Sequence, residues 1–258
     1  MGSRWNTSSI IKTIFMNEKK ERLSIAFVVL GMLFCVCLIT SNLLETKLFK
    51  LFGNVSLTCG FIVFPISYIL NDCIAEVWGY SKARLIIWLG FLMNFFVVIM
   101  GTIACFLPPL VPGSDTSFRE IFGFAPQVVV ASFTAFLVGS FLNAWVMSKM
   151  KLMDRDKSHF NWHFSARAIL STIVGEGADS LIFFPLAFYF LPLLIEGQPK
   201  VPVDVLLTLM LTQVVAKTLY EIVVLPLTIR VVKFVKKYEG ADVYDDKISY
   251  NPLKIKQI

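Results

Sequence analysis

The chain is dominated by long apolar stretches that short polar segments separate. A bilayer core about 30 Å thick needs about 20 mostly apolar residues per helix, and these stretches are long enough to cross it. Runs such as LIIWLGFLMNFFVVIM are apolar on every face, which favours helices over the alternating pattern of transmembrane strands. The pattern predicts six spans, at 23–43, 55–78, 83–107, 125–147, 168–191 and 203–229.

These spans predict an all-α integral membrane protein, a bundle of six transmembrane helices. Residues 1–22 form a polar and basic N-terminal segment, 23–230 the transmembrane transport domain, and 231–258 a charged tail. Gly79 and the Pro108–Pro109 pair lie where helices should end, as expected of residues that interrupt helices.

The distribution of basic residues predicts the orientation. If both termini are cytoplasmic, most of the 24 Lys and Arg residues fall on the inner segments, which agrees with the positive-inside rule. We therefore expect a multi-pass protein of the cell inner (plasma) membrane with both termini in the cytoplasm. Topology and attraction to anionic lipids then explain the net charge of +6, so a nucleic-acid partner gains no support from it.

Composition argues against a soluble protein and motifs argue against an enzyme. The chain is 56% hydrophobic and 16% charged, against roughly 45–50% and about 25% in soluble domains. The five cysteines lie in apolar segments and suit small buried hydrophobes better than disulfides or a metal site. Neither a Ser–His pair, nor a zinc-type His-Glu motif, nor a phosphate-binding loop is recognisable. We predict no catalytic residues, no metal and no cofactor.

Charged residues inside spans carry the strongest functional signal, because each costs about 2.5–3.5 kcal/mol at a helix centre. They occur as one pair in each of three spans, with spacings that put both members on one helix face. The pairs are Asp72 and Glu76, Glu176 and Asp179, and Lys217 and Glu221. These faces can meet only inside the bundle, around a polar cavity or a packed ionic network.

Two interpretations of these residues stay open. In a substrate site, the acids would bind a ligand together with the neighbouring polar and aromatic residues Asn71, Asn143, Gln213 and Phe183. In a static network, Lys217 would pair with Glu176 or Asp179 and the other acids would satisfy backbone groups. Glu76 could also reach the inner surface near Lys82 and Arg84.

Three stretches of the chain together resemble the queuosine precursor transporter family, also described as a vitamin uptake transporter family. They are FPISYILNDCIAEVWG, STIVGEGADSLIFFP and KTLYEIVVLP, and the TSN at Thr40–Asn42 and the run VVVASFTAFLVGSFLN strengthen the likeness. The resemblance extends from the first span to Pro226 and leaves out both terminal segments.

The resemblance implies an importer of 7-deazaguanine bases for tRNA modification, such as the 7-cyano or 7-aminomethyl precursor or queuine. A guanine-type edge presents N1–H beside an exocyclic amine, and one carboxylate can accept both hydrogen bonds. On this interpretation Asp72 or Asp179 holds the base edge, and Glu176 serves the same base or a coupling proton. The amides of Asn71, Asn143 and Gln213 reach the ring carbonyl.

The mechanism has several alternatives at this stage. A coupled transporter would use a proton or sodium ion, whereas facilitated entry would need only trapping inside the cell. The chain could instead be the substrate-binding subunit of a multi-component importer, or a membrane scaffold with a static ionic network. A homodimer also stays open.

Overall fold

A computed structural model describes residues 24–45, 47–50, 56–154, 160–194, 202–244 and 249–251. The predicted N-terminal segment 1–22 lies outside the described residues, as do 245–248 and 252–258 of the predicted tail.

The described part is almost entirely helical. The helices are α1 (Ile25–Leu44), α2 (Phe64–Trp78), α3 (Tyr80–Cys105), α4 (Thr116–Met153), α5 (Phe160–Pro185), α6 (Leu191–Leu194) and α7 (Val203–Glu239). A 3₁₀ turn at Cys59–Ile62 precedes α2, and a π-helical turn at Leu186–Phe190 joins α5 to α6. A short antiparallel hairpin pairs β1 (Leu48–Lys50) with β2 (Ser56–Thr58).

Local sequence explains several helix ends. The Ser24 side chain accepts a 3.1 Å hydrogen bond from the Phe27 N–H and caps α1. Gly79 ends α2 at φ +83°, a left-handed conformation that favours glycine, so that α3 can begin at Tyr80. Gly240 ends α7 in the same way, at φ +61°.

Five helical segments of the described part are long and apolar enough to cross a membrane: Ile25–Leu44, Cys59–Trp78, Tyr80–Cys105, Thr116–Met153 and Trp162–Leu194. This confirms the prediction of a largely helical membrane protein. The sixth predicted span falls on α7, which is 37 residues long and carries Lys217 and Glu221 in its interior. The six-span count and the orientation of the termini stay predictions.

Some boundaries differ from the sequence prediction. The second predicted span starts at 55, which lies outside the described residues; Ser56–Thr58 form β2, and helical structure begins only at Cys59. α4 begins at Thr116 instead of 125 and ends at Met153 instead of 147. Hydropathy marks only the apolar part of a helix, and a helix can continue into polar sequence beyond it.

The close approach of α4 and α5 organises the centre of the bundle. A Cβ at Gly139 would lie 2.7 Å from the carbonyl oxygen of Gly175, and one at Gly175 would lie 2.7 Å from the Cβ of Asn143. Only glycine fits at both positions, and the crossing brings Asn143 of α4 against Gly175 and Asp179 of α5 against Gly139. Aromatic residues pack next to this crossing, with Tyr68 and Phe136 edge to face at 5.8 Å.

Candidate functional site

The predicted charges of the fifth and sixth spans meet around one lysine. Lys217 Nζ on α7 lies 3.8 Å from Glu176 Oε2 and 3.8 Å from Asp179 Oδ2, both on α5. It also lies 3.9 Å from the centroid of the Phe64 ring, within cation–π range. All three charged side chains are buried. The pairing of Lys217 with an acid of span five, predicted for a static network, is therefore present.

Two further buried acids, one on α2 and one on α7, have no such cationic partner among the described residues. Asp72 on α2 accepts a 2.6 Å hydrogen bond from the Asn143 amide, and Glu221 on α7 accepts a 2.8 Å bond from the Thr172 hydroxyl. Neither carboxyl forms an ion pair with any Lys, Arg or His in the described ranges. Asp72 and Glu221 are nevertheless fully buried.

Among the buried side-chain atoms without a hydrogen-bond partner in the described residues, acceptor oxygens outnumber donor nitrogens. Several buried oxygens have no hydrogen-bond partner among the described residues: Asn71 Oδ1, Asp72 Oδ2, Asn143 Oδ1, Glu176 Oε1 and Oε2, Gln213 Oε1 and Glu221 Oε1. The amide donors of two of these residues are already engaged, because Asn71 donates to the Ser140 carbonyl at 3.5 Å and Gln213 to the Thr58 hydroxyl at 3.1 Å. A ligand rich in N–H or O–H groups would supply what the protein lacks.

A small cavity lies beside the Lys217 cluster. Its volume of about 20 Å³ holds a single water molecule. Four predicted site residues line it, namely Asp179, Phe183, Gln213 and Lys217. The other predicted residues do not line the cavity, although Glu176 lies 3.8 Å from Lys217, which does.

Sequence reasoning missed three polar residues of the cavity wall. Asn42 and Glu45 come from the end of α1, and Ser132 on α4 donates a 2.7 Å hydrogen bond to the Asn42 amide oxygen. The first predicted span ends at residue 43, before Glu45, whereas in the structure Glu45 caps α1. The absence of a side chain at Gly60 leaves room for the Glu45 carboxyl. The i,i+3 spacing of Asn42 and Glu45 was the available signal, since it puts both on one face.

Glu76 has a different environment from the other predicted acids. Its Oε1 lies 3.0 Å from Arg167 Nη2, 2.7 Å from Lys236 Nζ and 4.0 Å from Lys151 Nζ. The side chain is only 1% exposed, so the alternative in which Glu76 reaches the surface beside Lys82 and Arg84 is wrong. Glu76 neutralises basic side chains of three helices and does not line the cavity.

Asp242, after α7, extends this inner cluster. Its Oδ1 lies 2.6 Å from Lys151 Nζ and 2.9 Å from Lys236 Nζ. Partial burial raises the pKa of Asp242, but hydrogen bonds from the two lysines and their charges outweigh it and hold that pKa below its usual value. The Val243 N–H donates to the Val77 carbonyl at 3.2 Å, which attaches this segment to the end of α2.

Comparison with known proteins places the chain among transporters. Residues 58–231 match the family described as "Putative vitamin uptake transporter". A Bacillus subtilis (strain 168) protein named "Probable queuosine precursor transporter" is 31% identical over 153 residues, which are 58% of this chain and 64% of that relative. A Haemophilus influenzae protein of the same name is 26% identical over 140 residues, 51% of this chain and 52% of that relative.

The chain thus matches less than two thirds of the length of either relative. No solved structure matches it. The family match covers most of the chain and includes Asp72, Glu76, Glu176, Asp179, Lys217 and Glu221. The chain therefore belongs to the vitamin uptake transporter family, a family of membrane transporters rather than enzymes.

Proposed function

We propose that this protein imports queuosine precursors, which are 7-deazaguanine bases, across the cell inner membrane for use in tRNA modification. The names of two relatives support the substrate class. The observation that carries the proposal is the surplus of buried, unpartnered acceptor oxygens in the middle of the bundle. A guanine-type base brings several N–H donors on one edge and a flat apolar ring, which suits such a surrounding.

We assign the base edge to Asp179, because this carboxyl lines the cavity and, within the described residues, makes a 3.8 Å ion pair with Lys217 but no hydrogen bond that substrate would have to break. N1–H and the exocyclic amine would donate to its two oxygens. The Gln213 amide oxygen, which has no partner among the described residues, would accept a further N–H of the base, and the Phe183 ring forms an apolar wall. Glu176 and Lys217 complete the charge balance around the base.

Asp72 is the weaker candidate for the base edge. It does not line the cavity, and the Asn143 amide already donates to it at 2.6 Å. Asn71 donates to the Ser140 carbonyl and is likewise engaged. These residues support the helices around the base site in this proposal and do not contact the base.

Import requires the cavity to widen, since about 20 Å³ accommodates one water molecule and not a bicyclic base. The π-helical turn at Leu186–Phe190 begins two residues after Phe184, which lines the cavity together with Phe183. Such turns are weaker than regular helix and are frequent at functional sites. We propose that this turn changes shape when the base enters.

The proposed topology has six spans, with α7 as the sixth and both termini in the cytoplasm. Clustering of Lys151, Arg167 and Lys236 around Glu76 supports it, because these basic residues then lie together at the inner end of the bundle.

The test uses cells that can neither make nor take up the deazaguanine precursor. The chain is expressed, each base is supplied at low concentration, and queuosine is measured in tRNA. We expect rescue by at least one base and an uptake rate about 10- to 100-fold lower for Asp179→Asn, because a charge-assisted contact is lost.

Asp204→Asn is the matched control, since Asp204 lies exposed in the first turn of α7. It should transport like the unaltered protein. Absence of rescue by every base, with membrane expression verified, would contradict the proposal.

A further inference from the structure

Asp72 and Glu221 form a second carboxyl pair that the base site does not use. Asp72 is 0% and Glu221 1% exposed, and each accepts one hydrogen bond from a neutral side chain. They lie on α2 and α7, which pack against each other.

The charged groups nearest the pair along its own helices are already paired with others. Glu76, one turn from Asp72, lies 3.0 Å from Arg167 and 2.7 Å from Lys236, and Lys217, one turn from Glu221, lies 3.8 Å from both Glu176 and Asp179. Asn143 on α4 and Thr172 on α5 are neutral. Within the described residues, the two carboxyls form no ion pair with a basic side chain.

The unpartnered atoms of the pair and of Asn143 beside it all lack a hydrogen-bond donor. Asp72 Oδ2, Glu221 Oε1 and Asn143 Oδ1 are buried acceptors with no donor among the described residues. Asn143 is 0% exposed, and its amide nitrogen already faces Asp72. Two adjacent carboxylates that are both ionised would also repel each other in a medium that screens poorly. One proton removes both defects, because it cancels a charge and turns one acceptor into an O–H donor.

We propose that Asp72 and Glu221 together bind one proton and release it during each import cycle, so that the coupling ion of this transporter is H⁺. The inference rests on the proposed import function and adds the ion that drives it. The proton binds a carboxyl oxygen from the outer side, and the resulting O–H donates to the second carboxyl or to Asn143 Oδ1. It leaves toward the cytoplasm, where the pair returns to two carboxylates.

Protonation also links the pair to the shape of the bundle. The neutralised pair permits α2 and α7 to remain in contact, whereas loss of the proton leaves like charges on two packed helices. Repulsion then favours their separation and the entry of water. The base and the proton would therefore act on the same helix, α7, through Gln213 and Lys217 on one side and Glu221 on the other.

Infrared absorption of protonated carboxyl groups tests the shared proton directly. The purified full chain is reconstituted in lipid and titrated around neutral pH, beside the double variant Asp72→Asn/Glu221→Gln and the control Asp204→Asn. We expect the double variant to lose part of the protonated-carboxyl absorption and the control to keep all of it. Equal absorption in the unaltered protein and the double variant would overturn the proposal.

Uptake into proteoliposomes tests the coupling. A labelled 7-deazaguanine base is supplied with and without an acid-outside gradient of one pH unit, and a trapped dye reports proton entry. One proton per neutral base sustains about tenfold accumulation at this gradient. We expect that ratio in the unaltered protein, with proton entry on addition of base, and a ratio near one in the double variant.

The outcomes separate the two proposals. No entry of base under any condition would contradict the import function itself. Entry that ignores the pH gradient, or that responds to a sodium gradient instead, would leave import standing and overturn the proton assignment. A double variant with an undiminished ratio would show that other groups carry the proton, and would also overturn it.

Discussion

Two acidic regions of this bundle differ in the side chains that surround their carboxyl groups. Glu76 is within 4.0 Å of Lys151, Arg167 and Lys236, so it sits among more cations than its own charge can balance. Asp72, one helical turn earlier on the same face of α2, has one neutral donor and no described cation. One acid is surrounded by cations at its Oε1, whereas the other has no cation beside it among the described residues. Two carboxyl groups that cost a similar free energy to bury in the membrane can therefore have different roles.

Removal of the Glu76 charge should give the largest effect on stability. Glu76→Gln removes the most buried counter-charge of Lys151 and Arg167, which are 4% and 5% exposed, and leaves them only the more exposed Asp242 and Asp154 among the described acids. We expect a loss of about 3–5 kcal/mol in the free energy of unfolding, because buried charges would lose their partner. Thermal unfolding in detergent measures it, and a melting temperature equal to that of the unaltered protein would refute the structural role of Glu76.

The same chemical change in the central region should cost activity instead. Asp179→Asn removes a charge from a region with surplus acids, and no hydrogen bond to Asp179 is lost among the described residues. We expect the free energy of unfolding to change by less than about 1 kcal/mol while uptake falls about 10- to 100-fold. Equal destabilisation by Glu76→Gln and Asp179→Asn would remove the distinction between the two regions.

The glycine crossing of α4 and α5 offers a way to disturb the central region alone. A Cβ from Gly139→Ala would lie 2.6 Å from the Tyr68 hydroxyl and 2.7 Å from the Gly175 carbonyl, and overpacking of this kind costs about 1–3 kcal/mol. Gly177→Ala is the control, because nothing lies within 4 Å of a Cβ there. It should be neutral or slightly stabilising. If both variants have the same melting temperature, the close crossing is not required.

The smallest effect should come from Asp242, at the solvent-facing edge of the inner cluster. Its folded pKa is below its usual value, so its stabilising contribution is complete above the unfolded pKa and is lost as pH falls through the folded pKa. Asp242 is 45% exposed, and solvent screening limits this contribution to less than about 1 kcal/mol. The stability difference between the unaltered protein and Asp242→Asn should shrink as pH is lowered through that range, and a difference that grows instead would contradict this assignment.

Much of the architecture followed from local patterns in the chain. Apolar length indicated the helices, and Gly79 indicated where α2 would end, because backbone conformation there depends on the residue itself. The boundaries of α4 and the hairpin of β1 and β2 were not predictable from hydropathy. They depend on contacts of segments that are neither long nor strongly apolar.

The candidate site was predictable only in part. Lys217 and Asp179 stood out because charges inside apolar helices are costly, and they do line the cavity. Glu45 went unrecognised because at the end of a span a carboxyl is free of that cost, and nothing local shows that the chain will fold over it. The sequence puts Asp72 and Glu76 on one helix face but does not show which of them meets cations inside the bundle, since their environments come from other helices.

Sequence alone determined that this protein is a helical membrane protein with charges confined to a few helix faces, since hydropathy and helical periodicity are properties of each segment by itself. Tertiary structure decided which charges meet. Gly139 and Gly175 permit α4 to approach α5, and α7 supplies Lys217 to one pair of acids while Lys236 goes to Glu76. Such partners are distant along the chain, so only the packing of whole helices assigns a cation to one carboxyl and leaves another without one.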